Sequence, residues 1–242
     1  MRIVFLIIFF GINLIFGQNI KIPEITPEQK ENANTVKISD FQTIEYKSYN
    51  KVISSNKYVV LVLNEIGFNA LDLSENYNKS NKIKNLNVTV YNSSGVKVKK
   101  FGKADFKDRS LLDDSTMFSD SRLLFLDYTP TAYPFVLEYE CETESVNTAF
   151  LNAWSPISRL HETVLEAKLE IIKTPEFEVN LKFQKLEEFN VEKLDSSTKT
   201  VYSVKNIMAI KPEANSDYSK EFPMVKMYLK KASLEGYELN MN

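Results

Sequence analysis

The 242-residue sequence predicts an all-β protein, a mainly antiparallel β-sandwich with minor helix, preceded by an N-terminal signal peptide. Three observations carry this expectation. Apolar and polar residues alternate with period two in successive short segments, as half-buried strands require. Turn-forming residues punctuate those segments. The longest uninterrupted apolar run lies at the extreme N terminus, behind a single positive charge.

That run opens MRIVFLIIFFGINLIFGQN. Arg2 precedes the apolar residues Ile3 to Phe10, the run resumes after Gly11 as far as Phe16, and Gly17 sets a small residue before Gln18. This is the order of a cleaved secretory leader over residues 1–17. A spanning helix needs about 20 apolar residues, and this run is shorter and is broken by Asn13. The expected mature chain is exported, periplasmic or secreted, with no stable membrane span.

Residues 18–34, with Pro23 and Pro27, read as a linker or a surface-hugging arm, and residues 35–240 as one β domain. Tyr58 to Leu63 is a continuous, β-branched apolar run that suits a strand buried on both faces. Leu86, Val88 and Val90 alternate with polar residues, Asn92-Ser93-Ser94-Gly95 supplies a turn, and Val96 and Val98 alternate with lysines. This is a hairpin signature. Further alternating runs cover Phe135 to Glu142, Leu165 to Ile171 and Phe177 to Phe183. Helix is expected only in short pieces, around Ala209 to Asn215 or as a turn near Asn69 to Leu73. A minor break falls at Leu194 to Lys199.

Composition excludes several function classes. The formal net charge is −2 and becomes slightly more negative once Arg2 leaves with the leader, which gives no footprint for nucleic acid. One cysteine, Cys141, allows no intrachain disulfide, and one histidine, His161, allows no multi-histidine metal cage. Asp105, Asp108, Asp113, Asp114 and Asp120 cluster in sequence, yet without the ligand spacing of a calcium loop. They read as turn caps and partners of Lys and Arg, and no metal or cofactor is expected. Ser119 and Asp120 with His161 lack a nucleophile elbow. Cys141 alternates with Phe135, Leu137 and Tyr139, which turns its thiol toward the core. Lys97, Lys99, Lys100, Lys103 and Lys107 read as a solvated strand face.

The candidate binding surface combines Asp105, Asp108, Asp120 and Arg122 with the aromatics Tyr128, Tyr133 and Trp154. Tyr and Trp present flat apolar faces with polar edges, as a glycan or peptide platform would need. The alternative for the same aromatics is packing around turns set by Pro130, Pro134 and Pro156.

The blocks DFKDRS, TMFSDSR, LDYTPTAYPF and NTAFLNAWSPI resemble those of the DUF3857 family, β domains that precede transglutaminase-like domains in exported proteins of Bacteroidota. The resemblance extends from about Asn32 to Leu234. Arg109, Met117 and Phe135 depart from the usual Val, Leu and Tyr of that pattern. The resemblance implies a β module whose transglutaminase-like partner, in cis or in trans, carries a Cys/His/Asp constellation. That catalytic half is expected to follow where this chain ends, and neither Cys141 nor His161 inherits a catalytic role. The resulting expectation is a non-catalytic module that binds or positions a partner or substrate. The rival expectation is a stand-alone periplasmic protein that binds glycan or peptide.

Overall fold

The structure, a computed structural model, describes residues 19–111, 120–174, 176–212 and 222–240. Residues 1–17, expected to form a leader, Asp113, Asp114, Met117, Ser119 and the 213–215 end of the helix expected at Ala209 to Asn215 lie outside the described residues.

Alternating segments pair into one eight-stranded sheet. Its strands, in chain order, are β1 (Thr35–Ser48), β2 (Lys51–Val62), β4 (Asn81–Asn92), β5 (Lys97–Gly102), β8 (Phe135–Ser145), β9 (Glu162–Ile172), β11 (Glu192–Asp195) and β12 (Lys199–Ile207). Their spatial order is β11-β12-β9-β1-β2-β8-β4-β5. Every neighbouring pair is antiparallel except β1 and β9, which run parallel. Between them, β3 (Ser74–Tyr77), β6 (Lys107–Ser110) and β7 (Arg122–Phe125) form a three-stranded sheet. β10 (Val179–Gln184) pairs with β13 (Met224–Leu229), and β14 (Lys231–Leu234) pairs with β15 (Tyr237–Asn240).

Strand parity explains the layering. On β2, Val60 and Val62 face one side and Val59 and Leu61 the other, and all four are buried, as the continuous apolar run predicts. The side bearing Val52, Val60 and Val62 carries two adjoining cores. One joins Val60, Leu86, Val88 and Leu137 to Leu73 and Leu124 beneath the β3–β7–β6 sheet. The other joins Ile44, Leu169 and Ile171 to Val225, Met227 and Leu229 of β13. Each fully buried Val, Leu or Ile contributes roughly 1.5–3 kcal/mol.

The opposite side is covered by the N-terminal arm. Ile20, Ile22 and Ile25 pack with Val36, Val59, Leu61, Tyr91 and Val136. The arm carries a one-turn helix, α1 (Pro27–Lys30), closed by a capping box between Thr26 and Gln29. Beyond the arm this face is charged, with Lys57 bonded to Glu138 (2.9 Å) and Lys51 to Glu144 (3.0 Å).

Two local expectations, both of helix, are corrected. The helical turn sits at α2 (Glu65–Asn69), ahead of Asn69 to Leu73, because the Asn64 side chain caps the Gly67 N–H at 2.9 Å. Residues 209–212 are not helical. In the β4–β5 hairpin, a register shift at Val90/Tyr91 sets Lys99 opposite Val90, and Val98 is left 61% exposed on the edge strand. The break at Leu194 to Lys199 is the tight turn between β11 and β12, with Ser196 N–H donating to the Lys199 carbonyl at 2.8 Å.

Candidate functional site

The three-stranded sheet brings part of the anticipated surface together. Its register sets Tyr77 and Ser110 opposite Arg122, with Asp108 two positions from Ser110 and therefore on the same face. Arg122 Nε donates to Asp108 Oδ1 (3.0 Å) and to the Tyr77 hydroxyl (3.0 Å), and that hydroxyl donates to Asp108 Oδ2 (2.8 Å). The hydrogen bonds from Arg122 and then Tyr77 hold the Asp108 carboxyl below its ordinary value, and Asp108 raises that of Arg122. Asp120 accepts from the Lys79 main-chain N–H at 3.0 Å, which pins the turn after β3. Tyr77, Asn78, Lys79, Ser110, Asp120 and Arg122 line an open cleft of about 420 Å³. It presents a solvent-exposed guanidinium and a carboxylate on a short three-stranded sheet, a geometry suited to polar, charged contact.

The other anticipated residues lie elsewhere. Asp105 accepts from the Gly102 N–H at 2.7 Å and closes the single 3₁₀ turn Lys103–Asp105. Tyr128 packs edge-on against Phe101 (5.4 Å) and Phe68 (6.0 Å) at the margin of the core. Tyr133, 36% exposed, lies 5.5 Å from the Phe135 ring. Trp154 is 2% exposed, belongs to the core under β13, and exchanges main-chain hydrogen bonds with Val225 at 2.9 and 2.8 Å. The platform that included Trp154 is therefore corrected: its ring fills a core and offers no face to a ligand.

Cys141 is 5% exposed, in the core beneath the three-stranded sheet. Burial, reinforced by Glu75, pushes its thiol far above the ordinary value. Glu75 also accepts a hydrogen bond from Tyr139, whose ring stacks on Tyr58 at 4.8 Å. His161 serves the fold: at φ +57° it turns the chain into β9, its carbonyl accepts from Asn34 N–H (2.7 Å), and its Nδ1 lies 2.8 Å from the Asn32 carbonyl.

One cluster escapes sequence reading altogether. Lys37, Asp40 and Glu162 meet on the side that bears Val60 and Val62, with Lys37 Nζ 2.8 Å from Asp40 and 3.4 Å from Glu162, and Arg159 reaches Glu162 at 3.3 Å. Lys37 and Glu162 side chains are 8% and 1% exposed. Burial pulls the Lys37 ammonium down, and the Glu162 and Asp40 carboxylates outweigh it, so the net shift is upward. In the sequence Lys37 stands between Val36 and Ile38 and reads as the solvent side of an alternating strand. Only coverage of both sheet faces buries it.

The fold is similar to that of a "putative protease" from Parabacteroides distasonis ATCC 8503, at a TM-score of 0.64 and 12% identity over 80% of this chain. This chain spans 40% of that protein's length. A "putative nutrient binding protein" from Legionella pneumophila aligns over 81% of this chain and 68% of its own, at 8% identity and a TM-score of only 0.35. No curated protein matches. The family model for DUF3857, a domain of unknown function with a solved structure, matches residues 50–211. That range omits β1, which lies at the centre of the sheet between β2 and β9. With more than half of its length matched, from the end of the β1–β2 turn through β12, the chain belongs to the DUF3857 family.

Proposed function

We propose that this chain is an exported, non-catalytic β module that binds or positions a partner or substrate for a transglutaminase-like catalytic domain. The burial of its only thiol carries this reading. A thiol nucleophile acts as the thiolate, and Cys141 sits in an apolar core beside the Glu75 carboxyl, where ionisation is strongly opposed. The only imidazole is engaged by the main-chain carbonyl of Asn32. The exposed cleft of Tyr77, Asp120 and Arg122 supplies a polar contact surface instead. Membership of the family supports the module reading, as does the similar fold that makes up 40% of a longer "putative protease". The apolar leader behind Arg2 supports export.

The test is capture of a transglutaminase-like domain, prepared as a separate polypeptide from a longer family member, on the immobilised chain. Retention of that domain, weakened by Arg122→Glu, is the expected result. Amine transfer or peptide hydrolysis by this chain alone, abolished in Cys141→Ala, would overturn the proposal. Fractionation of expressing cells, with N-terminal sequencing at Gln18, tests export.

A further inference from the structure

A second groove opens on the side of the main sheet that bears Ile44 and Val52, opposite the N-terminal arm. Its volume is about 240 Å³. The floor is apolar, from Ile44 and Val52, each 1% exposed. The walls are neutral and hydrogen-bonding: Gln42 from β1, Ser54 from β2, Thr143 and Ser145 from β8, and Asn152 from the segment after β8. Among the described residues not one charged side chain lines it, although 26% of the chain is charged.

These walls are built by register. Ser54 pairs with Thr143 across β2 and β8, and with Ile44 across β1 and β2. Gln42 pairs with Asn56, whose buried Oδ1 has no hydrogen-bond partner among the described residues. Paired residues share a face, so an amide and two hydroxyls stand side by side on three adjoining strands. Strand-mounted groups of this kind are held in place before any ligand arrives. At the rim Phe150 is 72% exposed.

An apolar floor, a neutral set of amides and hydroxyls, and one exposed aromatic match the two chemistries of a sugar ring. Hydroxyl pairs on the ring need donors and acceptors without net charge, and its C–H face packs on an aromatic. We infer that this groove is a binding site for a neutral oligosaccharide, one or two rings deep. The inference rests on the binding half of the proposed function and assigns it a ligand class and a place remote from the Arg122 cleft.

The test titrates the whole chain with maltotriose, cellotriose and chitotriose by calorimetry, with trialanine as the peptide probe. At least one saccharide should bind, with affinity reduced roughly tenfold by Gln42→Ala or Thr143→Ala, the loss of about one good hydrogen bond. Phe150→Ala, at an exposed position, should weaken binding similarly while leaving the melting temperature unchanged. Arg122→Glu should leave it intact. Absence of binding by all three sugars at millimolar concentration overturns the inference, as does binding that survives the Gln42, Thr143 and Phe150 changes. Trialanine binding in a Gln42-dependent way, without sugar binding, overturns it in favour of a peptide groove. Failure here while the catalytic domain is still captured would leave the proposed function standing.

Discussion

The main-chain N–H of Ile20 donates to the carbonyl oxygen of Gly95 at 2.9 Å, and so ties the N-terminal arm to the tip of the β4–β5 hairpin. Gly95 has φ +80°, and a Cβ there would lie 2.2 Å from the Ile20 carbonyl oxygen. Gly95→Ala is expected to cost about 1–3 kcal/mol, through strain and displacement of the arm. Limited proteolysis should then cut within residues 19–34 sooner than in the parent chain. An unchanged cleavage pattern would mean that the arm is held without the hairpin.

Lys37 and Glu162 face each other in a covered site, so loss of one leaves the other buried with less compensation. Lys37→Met should destabilise by about 3–5 kcal/mol, and the double variant Lys37→Met/Glu162→Gln should recover much of that loss. The folded-state pKa of Lys37 is raised, so its contribution is complete below the ordinary lysine value and is lost as pH rises through the folded value. Alkaline melts should accordingly fall more steeply for the parent than for the double variant.

Burial raises the Glu75 carboxyl above its ordinary value, against hydrogen bonds from Tyr139 and Cys141. Stability from this group is greatest below the ordinary carboxylate value and declines as pH rises through the folded one. Glu75→Gln keeps an acceptor for Tyr139 and removes the ionisation. Its melting temperature should vary less with pH across the weakly acidic range, and a profile parallel to the parent would refute the assignment.

Asp108 is held low by Arg122 at the exposed cleft. Arg122→Gln should move the Asp108 carboxyl titration upward, toward the ordinary aspartate value, as followed by carbon-13 NMR. A depressed carboxylate stabilises above the ordinary value and loses that contribution as pH falls. Because the pair is solvent-exposed, the melting temperature at neutral pH should barely change.

The Cys141 thiol should resist aromatic disulfide reagents in the native chain and react at once in denaturant. Cys141→Ala should cost about 1–3 kcal/mol through the small cavity it leaves. Rapid native labelling would contradict its burial.

Much of the strand framework was legible in the alternation. Leu86 to Val90, Phe135 to Cys141 and Leu165 to Ile171 all fall within strands of the main sheet, and Val59 to Val62 are buried on both its faces. Less of the site was legible. Asp108, Asp120 and Arg122 do converge, because β6 and β7 pair directly. Tyr77 was missed, since it enters from β3, far earlier in the chain. Trp154 was placed wrongly because an aromatic among prolines looks the same in sequence whether a strand covers it or not.

Local pattern, with period two along a strand and a Gly at a turn, is written in neighbouring residues, so the sequence alone determined the all-β class. Which face a small sheet or an arm would cover depends on pairings between distant segments. Tertiary structure alone therefore decided that β1 runs parallel to β9, that Lys37 is buried against Glu162, and that Gln42, Ser54 and Thr143 share one groove.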